Sequence, residues 1–529
     1  MPAQSTEGEL PNDSAVRDAR HGGMLLLLSV FVIAVCGLVY ELIAGTLSSY
    51  LLGDSVTQFS LVIGIFLFAM GIGSFLSRFI RSRLLACFIA IQCLIGLIGG
   101  ISTLVAFVSF TFSDSYLPTL FTLLFLVGAL VGIEIPLIIR ILQASDSLRV
   151  TTSNVLSLDY LGALVASLIF PFLLVPHLGL VRAGAAMGLL NLLVAALMLW
   201  RFRVEIGRAR RPLTFFACTS ALLLIVVSIL SGRWVSYLEN QLYQDEIILA
   251  RDTSYQRIVI TRWRDDVRLY LNGHLQFSSL DEYRYHEALV HPATSLAQSP
   301  RQVLVLGGGD GLAVRELLKY AEIERVDLVD IDPEVTELFR RNSMLVELNQ
   351  GALQDPRVHI HNTDAMQYLS STIRQYDVVI VDLPDPSDAH LAKLYSQPFY
   401  RLVGRALNEN GVMAVQATSP FRSREAFWCI KHTIESCRVG PDNESTFYVQ
   451  PYHTHVPTFG SWGFVIASRQ PLDPVEIDLR VPAKFLNQQS IGAMFVFSED
   501  IAEVKTPVSG LVDPVVNRLY RESYHRMFN

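Results

Sequence analysis

Hydrophobicity in this chain is divided between two halves, and that asymmetry limits the fold more than any single motif. Nearly all long apolar runs lie before about Ser231, whereas the sequence after Arg233 has the mixed composition of a globular domain. Crossing the hydrocarbon core of a bilayer takes about 20 predominantly apolar residues in a helix. Seven stretches qualify, at 24–46, 59–79, 84–108, 117–140, 155–176, 180–200 and 213–231. The expected organisation is a polar N-terminal tail over 1–23, a transmembrane domain of about seven helices over 24–232, a small β-rich module over 233–299 and an α/β domain over 300–529. The first apolar run is long and lacks a small-residue cleavage signature, so it reads as a retained helix rather than a signal peptide. A length of 529 residues accommodates these parts, and 51% hydrophobic against 17% charged residues is too apolar for an ordinary soluble protein.

Arginines alternate by loop. Arg17 and Arg20, then Arg78, Arg81 and Arg83, then Arg140 and Arg149, then Arg201 through Arg211 fall on one side, and the intervening loops carry only Arg182. The positive-inside rule places the N-terminus in the cytoplasm of a multi-pass cell-membrane protein. Glu41, Glu134 and Asp159 lie within or near the apolar runs. Ionisable groups are costly there and mark functional sites unless they sit at helix ends or pair with arginine. A cation path is the sharper of those two readings. Gly96 and Gly100 form a small-xxx-small pair suited to helix packing. The six cysteines form no C-x-x-C pair or Cys/His cluster, so neither a metal site nor a disulfide framework is expected. A net charge of −7 without a basic stripe argues against nucleic acid as a partner.

In the soluble half, Ser254–Thr261 and Val267–Leu271 are rich in β-branched and aromatic residues, and Asn272-Gly273 follows as a turn. A helix is expected from about Asp281 to Leu296. Beyond Pro300, strand and helix alternate. Val303–Leu306 leads into Gly307-Gly-Gly-Asp-Gly311, Arg325–Asp332 ends in acids, Val358–His361 runs to Asp364, and Tyr376–Asp382 is a further strand. That alternation predicts a doubly wound, mostly parallel sheet. In such sheets ligands bind beyond the carboxyl ends of the strands. Asp310, Asp330, Asp364, Asp382 and Asp385 all fall at such ends.

A glycine loop alone shows only that backbone approaches a ligand closely. An acid about twenty residues on suits ribose hydroxyls, a logic shared by dinucleotide and adenosylmethionine enzymes. Asp310 inside the loop separates them, since it would repel a pyrophosphate or an amino-acid carboxylate and attract a cation. With Asp382 and Asp385 nearby, the acids point to a cationic organic substrate. An amine nucleophile must shed a proton, which a carboxylate at hydrogen-bond distance accepts. A sulfonium-activated carbon releases a neutral thioether, so the leaving group needs no acid.

The stretches Leu271-Asn-Gly-His-Leu-Gln276, Asp281-Glu-Tyr-Arg-Tyr-His-Glu287, Leu306–Gly311, Val329-Asp-Ile-Asp332 and Val381-Asp-Leu-Pro-Asp-Pro386 resemble, in order and spacing, the spermidine synthases, or polyamine aminopropyltransferases. The resemblance covers about residues 250–470, and the membrane half is similar to the multi-span extension of some bacterial members. It implies an adenosylmethionine methyltransferase-like sheet preceded by a small β-domain, a homodimer or higher homo-oligomer, and spermidine and methylthioadenosine as products. It implies decarboxylated S-adenosylmethionine as co-substrate, with no permanently bound cofactor, and putrescine or a similar amine as acceptor. By position, Asp382 matches the proton acceptor. Asp310 and Asp385 match the acids holding the amine, with Tyr285, His286 and Gln276 around it. Gln256, Asp330, Asp364 and Ala365 match residues at the nucleoside, alongside Gly307 and Gly309 of the loop. The sequence departs from the pattern in three places. Asp330 stands where many members have Glu, Ser387–Lys393 replaces a Gly-Pro-rich gate loop, and Phe459 stands where a tyrosine is expected in the amine pocket.

Two other readings compete. An adenosylmethionine-dependent methyltransferase would share the sheet but not the acid cluster, and a membrane polyamine transporter or sensor would use the soluble domain only for binding. Seven full spans with a cytoplasmic N-terminus would put the enzyme domain outside, away from cytosolic metabolites. A re-entrant segment at 155–176, which carries Asp159, Pro171 and Pro176, would relieve that conflict.

Overall fold

The computed structural model describes residues 13–52, 55–113, 115–143, 148–243, 245–439 and 445–528. It forms two compact units that divide between Gln244 and Asp245.

The first unit is helical: α1 Asp13–Leu52, α2 Ser55–Leu76, α3 Leu84–Phe112, α4 Tyr116–Leu142, α5 Leu148–Ile169, α6 Val175–Arg201 and α7 Arg210–Tyr243. The segment expected as tail is helical from Asp13, where no proline or glycine interrupts the run up to His21, and residues 1–12 lie outside the described residues. Among the described residues, six helical stretches are long and apolar enough to cross a membrane. The expected segments 155–176 and 180–200 both lie in one of them, Leu148–Arg201. A π-helical turn at Phe170–Leu174 joins α5 to α6 beside Pro171 and Pro176, whose missing N–H groups break the regular ladder. Gly179, at φ 70° and ψ 172°, leaves the helical conformation altogether.

Glycines set how closely these helices approach. A Cβ on Gly132 of α4 would fall 2.1 Å from the Met70 carbonyl oxygen of α2. On Gly96 it would meet the Gly188 carbonyl of α6 at 2.9 Å, and on Gly100 the Leu224 side chain of α7 at 2.6 Å. The Gly96/Gly100 pair thus packs within the bundle.

Helix α7 continues through Tyr243, so the β-rich module begins at Asp245 rather than at residue 233. Four antiparallel strands follow in sequential order: β1 Glu246–Asp252, β2 Arg257–Trp263, β3 Asp266–Leu271 and β4 His274–Ser278. The β3–β4 turn is made by Asn272 and Gly273, both at positive φ. Helix α8, Glu282–Leu296, then leads into a seven-stranded sheet. Its strands are β5 Gln302–Gly307, β6 Arg325–Asp330, β7 Val358–Asn362, β8 Tyr376–Asp382, β9 Leu407–Gln416, β10 Tyr448–Val456 and β11 Gly460–Ser468. Strands β5 to β9 pair in parallel, and β10 and β11 close one edge antiparallel, in the order β10-β11-β9-β8-β5-β6-β7.

Alternation along the strands feeds two cores. Val303, Val305, Val378 and Ile380 face one layer with Leu289, Leu317 and Phe339, while Leu304, Leu306, Val379 and Val381 face the other with Phe399, Val403 and Phe427. Apolar residues on both faces are what a sheet covered on both sides requires. The chain reverses direction between β5 and β8: β6 and β7 build outward on one side of β5, and β8 and β9 on the other. This switch point opens a crevice at the carboxyl ends of the strands.

Candidate active site

The crevice is walled by bare backbone. Gly307 pairs with Asp382 across β5 and β8 and holds φ at +82°. A Cβ there would lie 2.0 Å from the Asp382 carbonyl oxygen. A Cβ on Gly308 would lie 3.0 Å from Asp382 Oδ2, and one on Gly309 2.5 Å from Asp330 Oδ2. The glycines therefore bring the loop against both acids at once. Helix α9, Leu312–Leu317, starts from this loop, and the Leu312 N–H donates to Asp310 Oδ1 at 2.9 Å.

Three expected residues meet around Asp382. The Tyr285 hydroxyl donates to Asp382 Oδ1 at 2.6 Å. His286, the next residue of α8, interacts electrostatically with both Asp310 and Asp382. Asp385 lies beyond, accepting from the Tyr520 hydroxyl at 2.9 Å. Asp310, Asp382 and Asp385 each retain some access to solvent, as crevice-lining groups should. Protein nevertheless surrounds them closely enough that desolvation raises all three above the ordinary carboxylate range. Asp310 is pushed up to about 6, with His286 opposing the rise and Asp382 adding to it. Asp385 is pushed up to about 6 despite hydrogen bonds from Tyr520 and Gln416. For Asp382 the rise is opposed by His286 and Tyr285.

Asp330 closes β6 and is held by two backbone donors, Gly309 N–H on Oδ2 at 3.0 Å and Asp332 N–H on Oδ1 at 2.9 Å. Desolvation outweighs them and pushes it up to about 6. Gln256, expected at the nucleoside, donates to Asp332 Oδ2 at 3.0 Å, as does Thr253 at 2.8 Å, so the turn after β1 docks on the end of β6. Asp364 caps the helix of Ala365–Ser371, accepting from the Met366 and Gln367 N–H groups at 2.9 and 3.0 Å. Its other oxygen accepts from Lys393 Nζ at 2.6 Å, which anchors the segment standing in place of a gate loop. Gln276 donates to the His274 carbonyl at 3.0 Å, and no hydrogen bond ties it to the acids. Phe459 packs on Trp462 at 5.0 Å between ring centroids, and Trp462 in turn meets Tyr285 at 6.4 Å.

Several neighbours escaped the sequence reading. Glu282, one turn before His286, accepts from its Nδ1 at 2.8 Å and takes a two-pronged bond from Arg315 at 2.9 Å on each oxygen. All three side chains are buried. Burial alone would lower the His286 imidazole, but Glu282 carries it up to about 9. The Glu282/His286 spacing of four residues was the available signal. Gln416 at the end of β9 donates to the Leu383 carbonyl at 2.5 Å and to the Tyr395 hydroxyl, fixing the turn between Asp382 and Asp385.

Comparison with known proteins finds relatives over nearly the whole chain. Residues 282–478 match the spermine/spermidine synthase domain family. Polyamine aminopropyltransferase 1 of Ralstonia nicotianae is 45% identical over 97% of this chain and 98% of its own length. The polyamine aminopropyltransferase of Leptospira interrogans is 44% identical over 95% and 99%. This chain belongs to the polyamine aminopropyltransferase family. It is an enzyme of the aminopropyl-transferring class, fused to membrane-spanning helices along its N-terminal half. A solved spermidine synthase from Thermotoga maritima, 29% identical with a TM-score of 0.43, covers 48% of this aminopropyltransferase and 84% of that chain.

The Glu282–His286 pair makes the site's charge pH-dependent. Its contribution to stability is complete below the unfolded imidazole value of about 6.5 and disappears as pH rises through about 9. Glu282→Gln is expected to bring the His286 value below 7 in histidine-labelled NMR titrations. It should also lower unfolding stability by about 3–5 kcal/mol, the usual effect of breaking a buried charge pair. A His286 value that stays above 8 in this variant would show that Glu282 does not hold its proton.

Proposed function

We propose that this enzyme transfers the aminopropyl group of decarboxylated S-adenosylmethionine to putrescine or a similar diamine, releasing methylthioadenosine and spermidine. The observation that carries the reading is the convergence of Asp310, Asp382 and Asp385 around Tyr285 and His286 at the switch point. Three carboxylates along one crevice favour a substrate with two positive charges, and they disfavour a co-substrate that keeps its own carboxylate. A methyltransferase using intact adenosylmethionine would bring such a carboxylate to the loop.

Asp382 is the proton acceptor. Tyr285 occupies its Oδ1, which leaves Oδ2, on the Gly308 side, to take the proton from the attacking amine. The amine lone pair forms the new C–N bond as the C–S bond breaks, and the electron pair stays on sulfur as a neutral thioether. Asp310 and Asp385 hold the cationic amine in line. Asp330 receives the ribose hydroxyls, and Asp364 with Ala365 faces the adenine. Gln256 acts on the nucleoside through Asp332, and Gln276 closes the outer rim. Phe459 supplies an apolar wall where a hydroxyl would otherwise meet the amine chain, which favours methylene-rich acceptors.

The purified full-length enzyme, given intact or decarboxylated adenosylmethionine with a panel of diamines, should form methylthioadenosine only with the decarboxylated form. Asp382→Asn should lower kcat at least a thousandfold while co-substrate affinity changes less than threefold. Methyl transfer, or an Asp382→Asn variant with near-normal turnover, would overturn the reading.

We place the soluble unit on the cytoplasmic face, because both proposed substrates are charged metabolites that do not cross a bilayer unaided. The loop arginines argue the opposite way if Leu148–Arg201 crosses twice. Ile373 is 98% exposed and offers a reporter position. Ile373→Cys should react with a membrane-impermeant maleimide only after cell lysis. Labelling in intact cells would place the enzyme outside.

A further inference from the structure

The membrane unit contains a buried carboxylate that the transfer chemistry does not use. Glu134 of α4 is 1% exposed. Gln92 of α3, fully buried, donates its amide to Glu134 Oε1. Among the described residues no lysine, arginine or histidine pairs with it, and Glu134 Oε2 has no hydrogen-bond partner. The surroundings supply more acceptors rather than donors. Gln92 Oε1 and Asn191 Oδ1 are likewise buried and unpartnered. Asn191 of α6 offers its Nδ2 to the Tyr40 hydroxyl at 3.4 Å. A buried carboxyl group beside orphaned oxygens has room for a further donor.

Tyr40 connects this cluster to a cavity. Its ring packs against the bare backbone of Gly99, where a Cβ would fall 2.5 Å from the ring. The ring also lines a slot between α1, α3 and α4, whose walls include Leu47, Ala106, Leu124 and Val127. Thr103, also on the slot wall, is 2% exposed, and its hydroxyl has no partner. Val127 and Glu134 share α4 seven residues apart, roughly 10 Å along the axis. Gln92, Gly99, Thr103 and Ala106 share one face of α3 at spacings of three, four and seven residues. Carboxyl group and slot thus lie along one seam, with a carboxyl and two amide oxygens at one end and methylene-compatible walls at the other.

We propose that this seam binds a linear aliphatic ammonium ion. Its charged head sits on Glu134, Gln92 and Asn191, and its methylenes run past Tyr40 into the slot. An ammonium supplies the N–H donors that the three orphaned oxygens lack, and an alkyl chain suits the apolar walls. The choice of amine as probe rests on the function proposed for the soluble unit, but the site itself does not.

The test uses the full chain in lipid nanodiscs and tritiated n-hexylammonium, which carries a single charged head. An Asp310→Asn/Asp385→Asn background removes the acids proposed to clamp amine in the soluble unit, so whatever saturable binding remains reports the membrane seam. One site per chain is expected in that background, and adding Glu134→Gln should weaken it at least tenfold. Glu134→Gln alone should leave methylthioadenosine production unchanged, so failure of the transfer reading and failure of this one are separable. Absent saturable binding, or unaltered affinity in a Glu134→Gln variant with wild-type elution and melting, overturns the proposal and leaves Glu134 as a neutral buried acid. If Glu134→Gln does not fold, competition in the same background decides. Displacement by n-butylammonium and not by sodium, with weaker binding in Thr103→Val, supports the site; displacement by sodium alone overturns it.

Discussion

Strands β5 and β8 run side by side in parallel although about seventy residues and two further strands separate them in sequence. Their last paired residues are Gly307 and Asp382, and a Cβ at the first would fall 2.0 Å from the carbonyl oxygen of the second. Much of the site follows from this contact. Because only glycine fits, the loop lies flat against the end of β8, and its next residues approach Asp382 Oδ2 and Asp330 Oδ2. The acids at two strand ends are thereby held on either side of a backbone that takes up almost no room. A larger residue at Gly307 would push the loop outward and separate Asp310 from Asp382.

That geometry has an electrostatic consequence. Asp310, Asp330 and Asp385 are each pushed up to about 6, chiefly because desolvation opposes their charge, and neighbouring acids add to the rise at Asp310 and Asp330. Folded acids with raised pKa values bind more protons than the unfolded chain between about 4 and 6, so they reduce stability as pH rises through that window. The fold offsets this with His286, which Glu282 keeps positively charged beside Asp310 and Asp382. A site strained in this way gains most when cations enter it. Charge accumulated against stability is the pattern expected where function sets the residues.

Much of the soluble unit was legible in the sequence because its signals are local. Short apolar runs, ending in glycine for β5 and in acids for β6 and β8, located these strands nearly to the residue, and Tyr285 and His286 lie beside Asp382. The roles of Gln256 and Gln276 were less readable, since Gln256 reaches its neighbours through Asp332 and Gln276 bonds its own strand. Tyr520 carried no local signal at all. Its partner, Asp385, lies 135 residues earlier, and only the packing of the C-terminal helix Val515–Phe528 joins them. In the membrane unit, composition located the apolar runs, but the helices extend beyond them, from Asp13 in α1 and to Tyr243 in α7. It did not reveal that α5 and α6 would join through a π-turn, because that depends on how Pro171, Pro176 and Gly179 resolve a backbone conflict.

The proposed function has recessed carboxylates at the switch point hold a dicationic amine. It is tested most directly by measuring the dissociation constant of putrescine for the full-length enzyme between pH 5 and pH 8. Binding should be nearly constant above pH 7 and weaken as pH falls through about 6, by up to tenfold per unit for each acid that must ionise. Asp385→Asn should remove part of that dependence. A dissociation constant that stays flat from pH 5 to pH 8, or is unchanged in Asp385→Asn, would contradict the account.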